Sequence, residues 1–347
     1  MMTETTGEKP SLGRQELLSL LNRYGPTGPD PAEPIVVSAT DGAWVIADDG
    51  RRLLDFSQGG VLPLGHDHAF TRQPAGSCAV GPGFEWPERI SLMRKLAEIA
   101  PGGMNRRVML CDSGREALAG AVSLACRETG RTRVVYAAEM ASSQPDLRDA
   151  AAVVVNPLDA RLAEVSESCR AGGALLVDDE TFIAPGITGR MFAIEHSGVR
   201  PDVYVLGRGL AAGMPFGACV AGRSTLRWMR KGTGGSPAGC LAALQYIGLL
   251  EAGLLDAGRA LGVRLARGLV RLSDKARSCR VVGTGLALGL RFQQTGQTAG
   301  FVGRCQQEGL ILARMGDATA GIAPPLVACD SEVDCALATM EKVLSDG

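Results

Sequence analysis

From Arg107 onward the apolar residues fall into short unbroken runs separated by amphipathic stretches of helix length. "RVMLCD" leads into "SGREALAGAVSLACRETG", where Leu118, Ala121, Val122 and Ala125 recur at helical spacing on one face. Further runs follow at "RVVYAA", "AAAVVVNP", "ALLVDDE", "DVYVLG" and "GACVAG". Unbroken rather than alternating apolarity predicts strands covered on both faces, hence a mainly parallel central sheet with flanking helices, an α/β fold. Ligands of such sheets sit beyond the carboxyl ends of the strands. The residues that end each run are therefore where chemistry is expected.

Upstream, "GPTGPDPAEP" reads as a connector after a short amphipathic helix. "GAWVIADDGRRLLDF" predicts a hairpin turning at Asp49 and Gly50, and "WPERISLMRKLAEIAP" a helix with Pro87 in its first turn. Beyond Pro237 the pattern predicts a long Leu/Ala/Gly-rich helix to about 273, strands in "RVVGTGLALGLRF" and "GLILAR", and a closing helix from Ser331. These segments suit a smaller α+β domain built from residues 1–49 and 237–347, beside a large domain over 50–236.

Composition narrows the partners. In 347 residues, 36 Lys plus Arg nearly cancel 37 Asp plus Glu, so no net field recruits nucleic acid or an acidic membrane, and a small-molecule substrate is expected. Ten cysteines occur without a CxxC pair and histidines number only three, which argues against a metal site and suits reduced thiols in the cytoplasm. The N-terminus lacks the basic start and apolar stretch of a secretion signal, and no apolar run reaches the length of a membrane span.

Several strand ends carry candidate groups. Arg208 lies between Gly207 and Gly209, which let backbone approach a ligand closely. A guanidinium there binds anions but is no nucleophile. Ser113 and Glu116 form a capping box, and with Gly114 and Arg115 the helix start is either a phosphate site or simply a well-capped terminus. Asp178, Asp179 and Glu180 end a strand, where alternation prevents all three from addressing one ligand. His66 and His68 lack a third ligand and read as structural, His196 lies in an ordinary turn, and Lys231 reads as a loop lysine.

In collinear order, "DGAWVIADDGRRLLDFSQGG", "ERISLMRKLAEIAPGGMNRRVMLCDSGREAL", "LLVDDETFIAPGITGRMFAIEHSGVRPDVYVLGRGLAAGMPFGA", "GGSPAGCLAAL" and "APPLVACDSEVDCALATMEKVL" resemble class III aminotransferases of the acetylornithine and 4-aminobutyrate type. The resemblance implies the fold-type I architecture of pyridoxal-phosphate enzymes and a homodimer with active sites at the subunit interface. It also implies that the family's Schiff-base lysine is replaced by Arg208, its Gln by Phe182, its Glu-Pro pair by Asn156-Pro157 and its substrate-carboxylate arginine by Gly321. The segment that supplies the family's stacking aromatic is missing after "RVVYAAEM". Ser113 and Gly114 of the phosphate helix, Thr233 of the interface loop and Asp179, the pyridine-nitrogen partner, remain as a vestigial site.

Three readings follow from this pattern. In the first, no cofactor is expected: the protein does not transaminate, and a repurposed pocket acts on a small, amino-acid-derived metabolite. Asp179 or Glu180 is then the acid/base, and Arg208 or Arg115 holds an anion. The second is a non-catalytic regulatory or scaffolding homologue. The third retains pyridoxal phosphate noncovalently.

Overall fold

The unbroken apolar runs become strands of a six-stranded sheet whose interior members are buried on both faces. In the computed structural model the described residues are 14–24, 35–69, 86–101, 106–140, 146–222, 234–294 and 296–345. Helix α1 (Arg14–Tyr24) and strands β1 (Val37–Asp41), β2 (Trp44–Ala47) and β3 (Arg52–Asp55) precede α2 (Pro87–Ile99). The alternation then runs β4 (Arg106–Cys111), α3 (Gly114–Thr129), β5 (Arg133–Tyr136), β6 (Ala150–Val155), α4 (Leu162–Gly172), β7 (Leu175–Glu180), β8 (Val203–Leu206) and β9 (Gly217–Gly222). The remainder is α5 (Pro237–Leu249), α6 (Leu255–Ala276), β10 (Cys279–Thr284), β11 (Ala287–Phe292), α7 (Gln297–Gln307), β12 (Leu310–Ile311), β13 (Ala313–Met315), β14 (Thr319–Ile322) and α8 (Asp330–Ser345).

The central sheet has the order β4-β9-β8-β7-β6-β5. Strands β5 to β8 are parallel, and β9 runs antiparallel to both β8 and β4. The reversal follows from chain length: residues 207–216 between β8 and β9 are too few for a crossover helix, so the two strands meet as neighbours of opposite direction. One face of the sheet packs Val154, Val177, Val205 and Cys219 against Ala117, Ala121 and Leu124 of α3. The other packs Val153, Leu176, Tyr204 and Val220 with α2, α4 and α5.

Two smaller sheets, β1-β2-β3-β12 and β10-β11-β14-β13, share a core with α6, α7 and α8. The β2–β3 hairpin straddles residue 50, and α5, which begins at Pro237, buries Cys240, Ala243 and Ile247 in the core of the central sheet.

The run Pro237–Ala276 corrects one expectation, because it is long and apolar enough by length and composition to cross a membrane. Its apolar residues are instead used within this fold. Leu261, Leu265 and Leu269 of α6 lie in the core with α8 and β10, and a wide turn at Leu250–Leu254 breaks the run where Gly253 takes φ 121°.

Within the core, Asp178 and Glu180 lie with Leu176 on the α4 side of β7 and are buried. Glu180 Oε1 accepts from Ile194 N–H at 3.0 Å. Among the described residues no donor N–H or O–H reaches either Asp178 oxygen or Glu180 Oε2, so a proton held between the two carboxyls is what remains to satisfy them. Burial raises both above the ordinary carboxyl range, Glu180 to about 7, and the Glu180 charge raises Asp178 further.

The sign of the resulting pH dependence is fixed. Below about pH 4.5 Glu180 is protonated whether the chain is folded or not. Between about 4.5 and about 7 the unfolded chain has lost the Glu180 proton and the folded one keeps it, so stability falls as pH rises; the Glu180 contribution levels off above about 7, while that of Asp178, raised further, continues. Thermal melting from pH 4.5 to 7.5 is expected to show the Asp178→Asn, Glu180→Gln double variant gaining on the parent over this window by at least the Glu180 share of about 3 kcal/mol, because each tenfold difference in proton affinity between the folded and unfolded chain is worth about 1.4 kcal/mol. Parallel curves for the two proteins contradict the assignment.

Candidate active site

Three backbone ends converge at the carboxyl edge of the central sheet: Thr181 just past β7, Gly207 just past β8, and Gly114 at the start of α3. They approach so closely that side chains are excluded. A Cβ at Gly207 would stand 2.1 Å from Thr181 O, and one at Gly114 would stand 2.9 Å from Thr181 Cγ2 and 3.2 Å from Gly207 Cα. Gly217, opening β9, is packed equally hard, since a Cβ there would be 2.2 Å from Ser113 O.

The start of α3 is built as the S-x-x-E pattern predicts. Ser113 is the N-cap, and its Oγ accepts from Glu116 N–H at 3.1 Å. The Glu116 carboxylate reaches one residue further back than a standard capping box, accepting from Asp112 N–H at 3.0 Å. The N–H groups of Gly114 and Arg115 fall in the first turn, where an α-helix offers donors without intrahelical acceptors and a partial positive charge. Asp112 Oδ1 accepts from Gly235 N–H at 3.0 Å, which ties the strand leading into α5 against this corner.

Strand alternation sorts the acidic trio. Asp179 shares its face with Leu175 and Val177, which belong to the α3 side, so it addresses the same side of the sheet as the Ser113–Gly114 corner. Its Oδ1 accepts from Thr181 N–H at 3.0 Å, and among the described residues no donor reaches Oδ2. Glu180 points the other way, into the core, so the structure separates the two acids offered as acid/base candidates.

Arg208 opens the short helical turn Arg208–Ala211 between β8 and β9. Its side chain is exposed, as are those of Ser113 and Arg115, while its neighbours Gly207, Gly209 and Leu210 are buried. The turn closes through Leu210 N–H to Gly207 O at 3.1 Å and Gly213 N–H to Arg208 O at 2.9 Å. Thr233 and Lys231 lie outside the described residues.

The other departures have local explanations. Asn156 Oδ1 accepts from Leu158 N–H at 2.9 Å and so shapes the turn after β6. Phe182 is 77% exposed, so it does not fill the pocket. His66 Nε2 pairs with Asp55 Oδ2 at 2.9 Å and His196 Nε2 with Thr188 O at 3.1 Å, both structural contacts. No group of three or more His, Cys, Asp or Glu suited to a metal occurs among the described residues.

Beside this corner lies a cavity of about 640 Å³, bounded by Gln58 and Gly60, by Asn156 and Phe182 past the ends of β6 and β7, and by β11, β13 and β14. It adjoins the Arg208 turn through Gly60, whose carbonyl oxygen would be 2.8 Å from a Cβ at Gly209. Sequence reasoning missed the parts played by Thr181, Gly60 and Gly217. The glycine doublet Gly59-Gly60 was the available signal, because paired glycines mark close backbone approach.

Bare backbone at Gly114, a free helix start and a carboxylate on the same side of the sheet fit a phosphate-bearing ring held by noncovalent contacts. Position 208 offers no amine for a covalent bond.

The sequence profile of the Aminotransferase class-III family matches residues 26–141 and 150–344. An acetylornithine aminotransferase from Gloeobacter violaceus is 29% identical, covering 90% of this chain and 93% of that protein, and one from Archaeoglobus fulgidus is 27% identical over 89% and 95%. In fold, the crystal structure of acetylornithine aminotransferase from Elizabethkingia anophelis superposes with a TM-score of 0.83 at 20% identity, covering 96% of this chain and 99% of that one. The family so matched carries pyridoxal phosphate, and this overturns the expectation that no cofactor is involved. With nearly its whole length matched by that profile and its fold shared with fold-type I enzymes, this chain belongs to the class III aminotransferase family.

Proposed function

We propose that this protein binds pyridoxal phosphate without a covalent bond to residue 208 and acts on the amino group of a small molecule, with amino-group transfer far slower than in lysine-bearing relatives. The observation that carries the reading is the placement of Asp179 on the α3 side of β7, the side on which the Gly114–Thr181–Gly207 corner offers the free N–H groups of α3. When bound, the cofactor supplies an electron sink for the bonds around the substrate's amine-bearing carbon.

The chain's own residues divide the remaining work. Gly114 and Arg115 present first-turn N–H donors to a phosphate, while Ser113 Oγ is already engaged in capping α3. Asp179, oriented by the Thr181 N–H, offers Oδ2 to a protonated ring nitrogen. Arg208 presents fixed donors to an anionic group and cannot attack a carbonyl carbon. Without an amine at that position the chain also lacks the family's usual proton carrier at the reacting carbon, which is why slow turnover is expected.

The same reading makes the protein a cytoplasmic homodimer. It has a large unit over residues 50–236 and a smaller one from both chain ends. Family membership supports the dimer, and the change of pattern along the chain, from alternating strands and helices to a long helix beyond Pro237, supports the two units.

Titration of the purified protein with pyridoxal phosphate is expected to give a saturable spectral change that gel filtration reverses, and borohydride is expected to leave no covalent adduct. Arg208→Lys is expected to convert this to an adduct that survives gel filtration after borohydride and is visible by intact mass. Isolation of the parent with cofactor fixed to another lysine, together with rapid amino transfer, contradicts the reading. Asp179→Ala, losing a charge-assisted hydrogen bond, is expected to weaken cofactor binding about tenfold or more in the same titration, and an unchanged affinity removes Asp179 from the site.

A further inference from the structure

The cavity of about 640 Å³ is built to reject charge. Its walls carry Leu158, Phe182, Ile183, Val282, Leu288 and Met315, and the only charged side chain among its described lining residues is Asp159. That carboxylate is already paired with Arg161 at 3.0 Å, and Arg161 directs further donors to Met140 O and Ala137 O. Asn156, in the same turn as Asp159, is engaged with Leu158 N–H.

Over β14 the space is closed by sulfur. A Cβ at Gly321 would meet Met315 Sδ at 2.8 Å and Cγ at 3.0 Å, so the thioether lies where a longer residue at 321 would project. Phe182 and Met315, 77% and 62% exposed, are large apolar side chains left open to water at this cavity. Such exposure is unfavourable unless a ligand or the partner subunit covers it. A carboxylate entering here would shed its hydration and meet no cation among the described lining residues, whereas an alkyl or aryl group would leave water for apolar contact.

We infer that this cavity selects an amine whose far end is an uncharged alkyl or aryl arm, and that Met315 is a specificity-determining residue against a terminal carboxylate. The choice of an amine rests on the function proposed above, while the exclusion of charge rests on the cavity alone. The volume suits a small metabolite rather than a peptide or a lipid tail.

Binding of n-butylamine, n-hexylamine, n-octylamine and 6-aminohexanoate to the full-length protein, measured by calorimetry with no added pyridoxal phosphate, tests this directly. Hexylamine is expected to bind at least tenfold more tightly than 6-aminohexanoate. Affinity is expected to rise up to about fourfold per added methylene along the alkylamines. Met315→Arg, at an exposed strand position, is expected to reduce or invert the preference, and Leu158→Lys on a separate element provides a second variant if the first is poorly folded. Equal or tighter binding of 6-aminohexanoate, no chain-length dependence, or an unchanged preference in both folded variants overturns the inference. Failure of pyridoxal phosphate to bind, with the chain-length dependence intact, would instead overturn the proposed function and leave the cavity's selectivity standing.

Discussion

The working edge of this protein depends on close approaches that leave no room for a Cβ at Gly207 or Gly114. Thr181, Gly207 and Gly114 come from three different elements, and a single Cβ at Gly207 would sit 2.1 Å from the Thr181 carbonyl oxygen. No real contact is that short, so the strand ends and the α3 terminus can close on one another only while Gly207 and Gly114 carry no side chain. That closure puts the helix start and Asp179 on one side of the sheet. It also fixes the direction in which the chain leaves β8, and with it the placement of the Arg208 turn.

Much of the scaffold was legible in the sequence because it depends on local signals. Asp49 and Gly50 announced the β2–β3 hairpin, Pro87 opened α2, and Ser113 with Glu116 opened α3. Unbroken apolarity announced the buried central strands. The resemblance carried the family as well, although its reading of the missing lysine led to a cofactor-free protein that the family match does not support.

What stayed hidden was whatever depends on distant segments or on facing. Alternation showed that Asp179 and Glu180 must diverge, but only packing against α3 decided which one looked outward. The apolar cavity draws on residues near 58, 158, 182, 282 and 315, and no window of sequence contains them together. The long helix beyond Pro237 was predicted, but not that part of it is apolar enough to match a membrane span, because only its average over an 18-residue stretch, and not any unbroken apolar run, reaches that level.

The short link between β8 and β9 carries a consequence for how such a protein changes over time. Because those strands are hydrogen-bonded neighbours, the turn beginning at Arg208 is pinned from both sides by the sheet ladder. The side chain at 208 projects outward from that anchorage and contributes nothing to the interior. Side-chain chemistry and architecture are thereby uncoupled at this one position, and a lineage can change the group at 208 without rebuilding the frame that presents it.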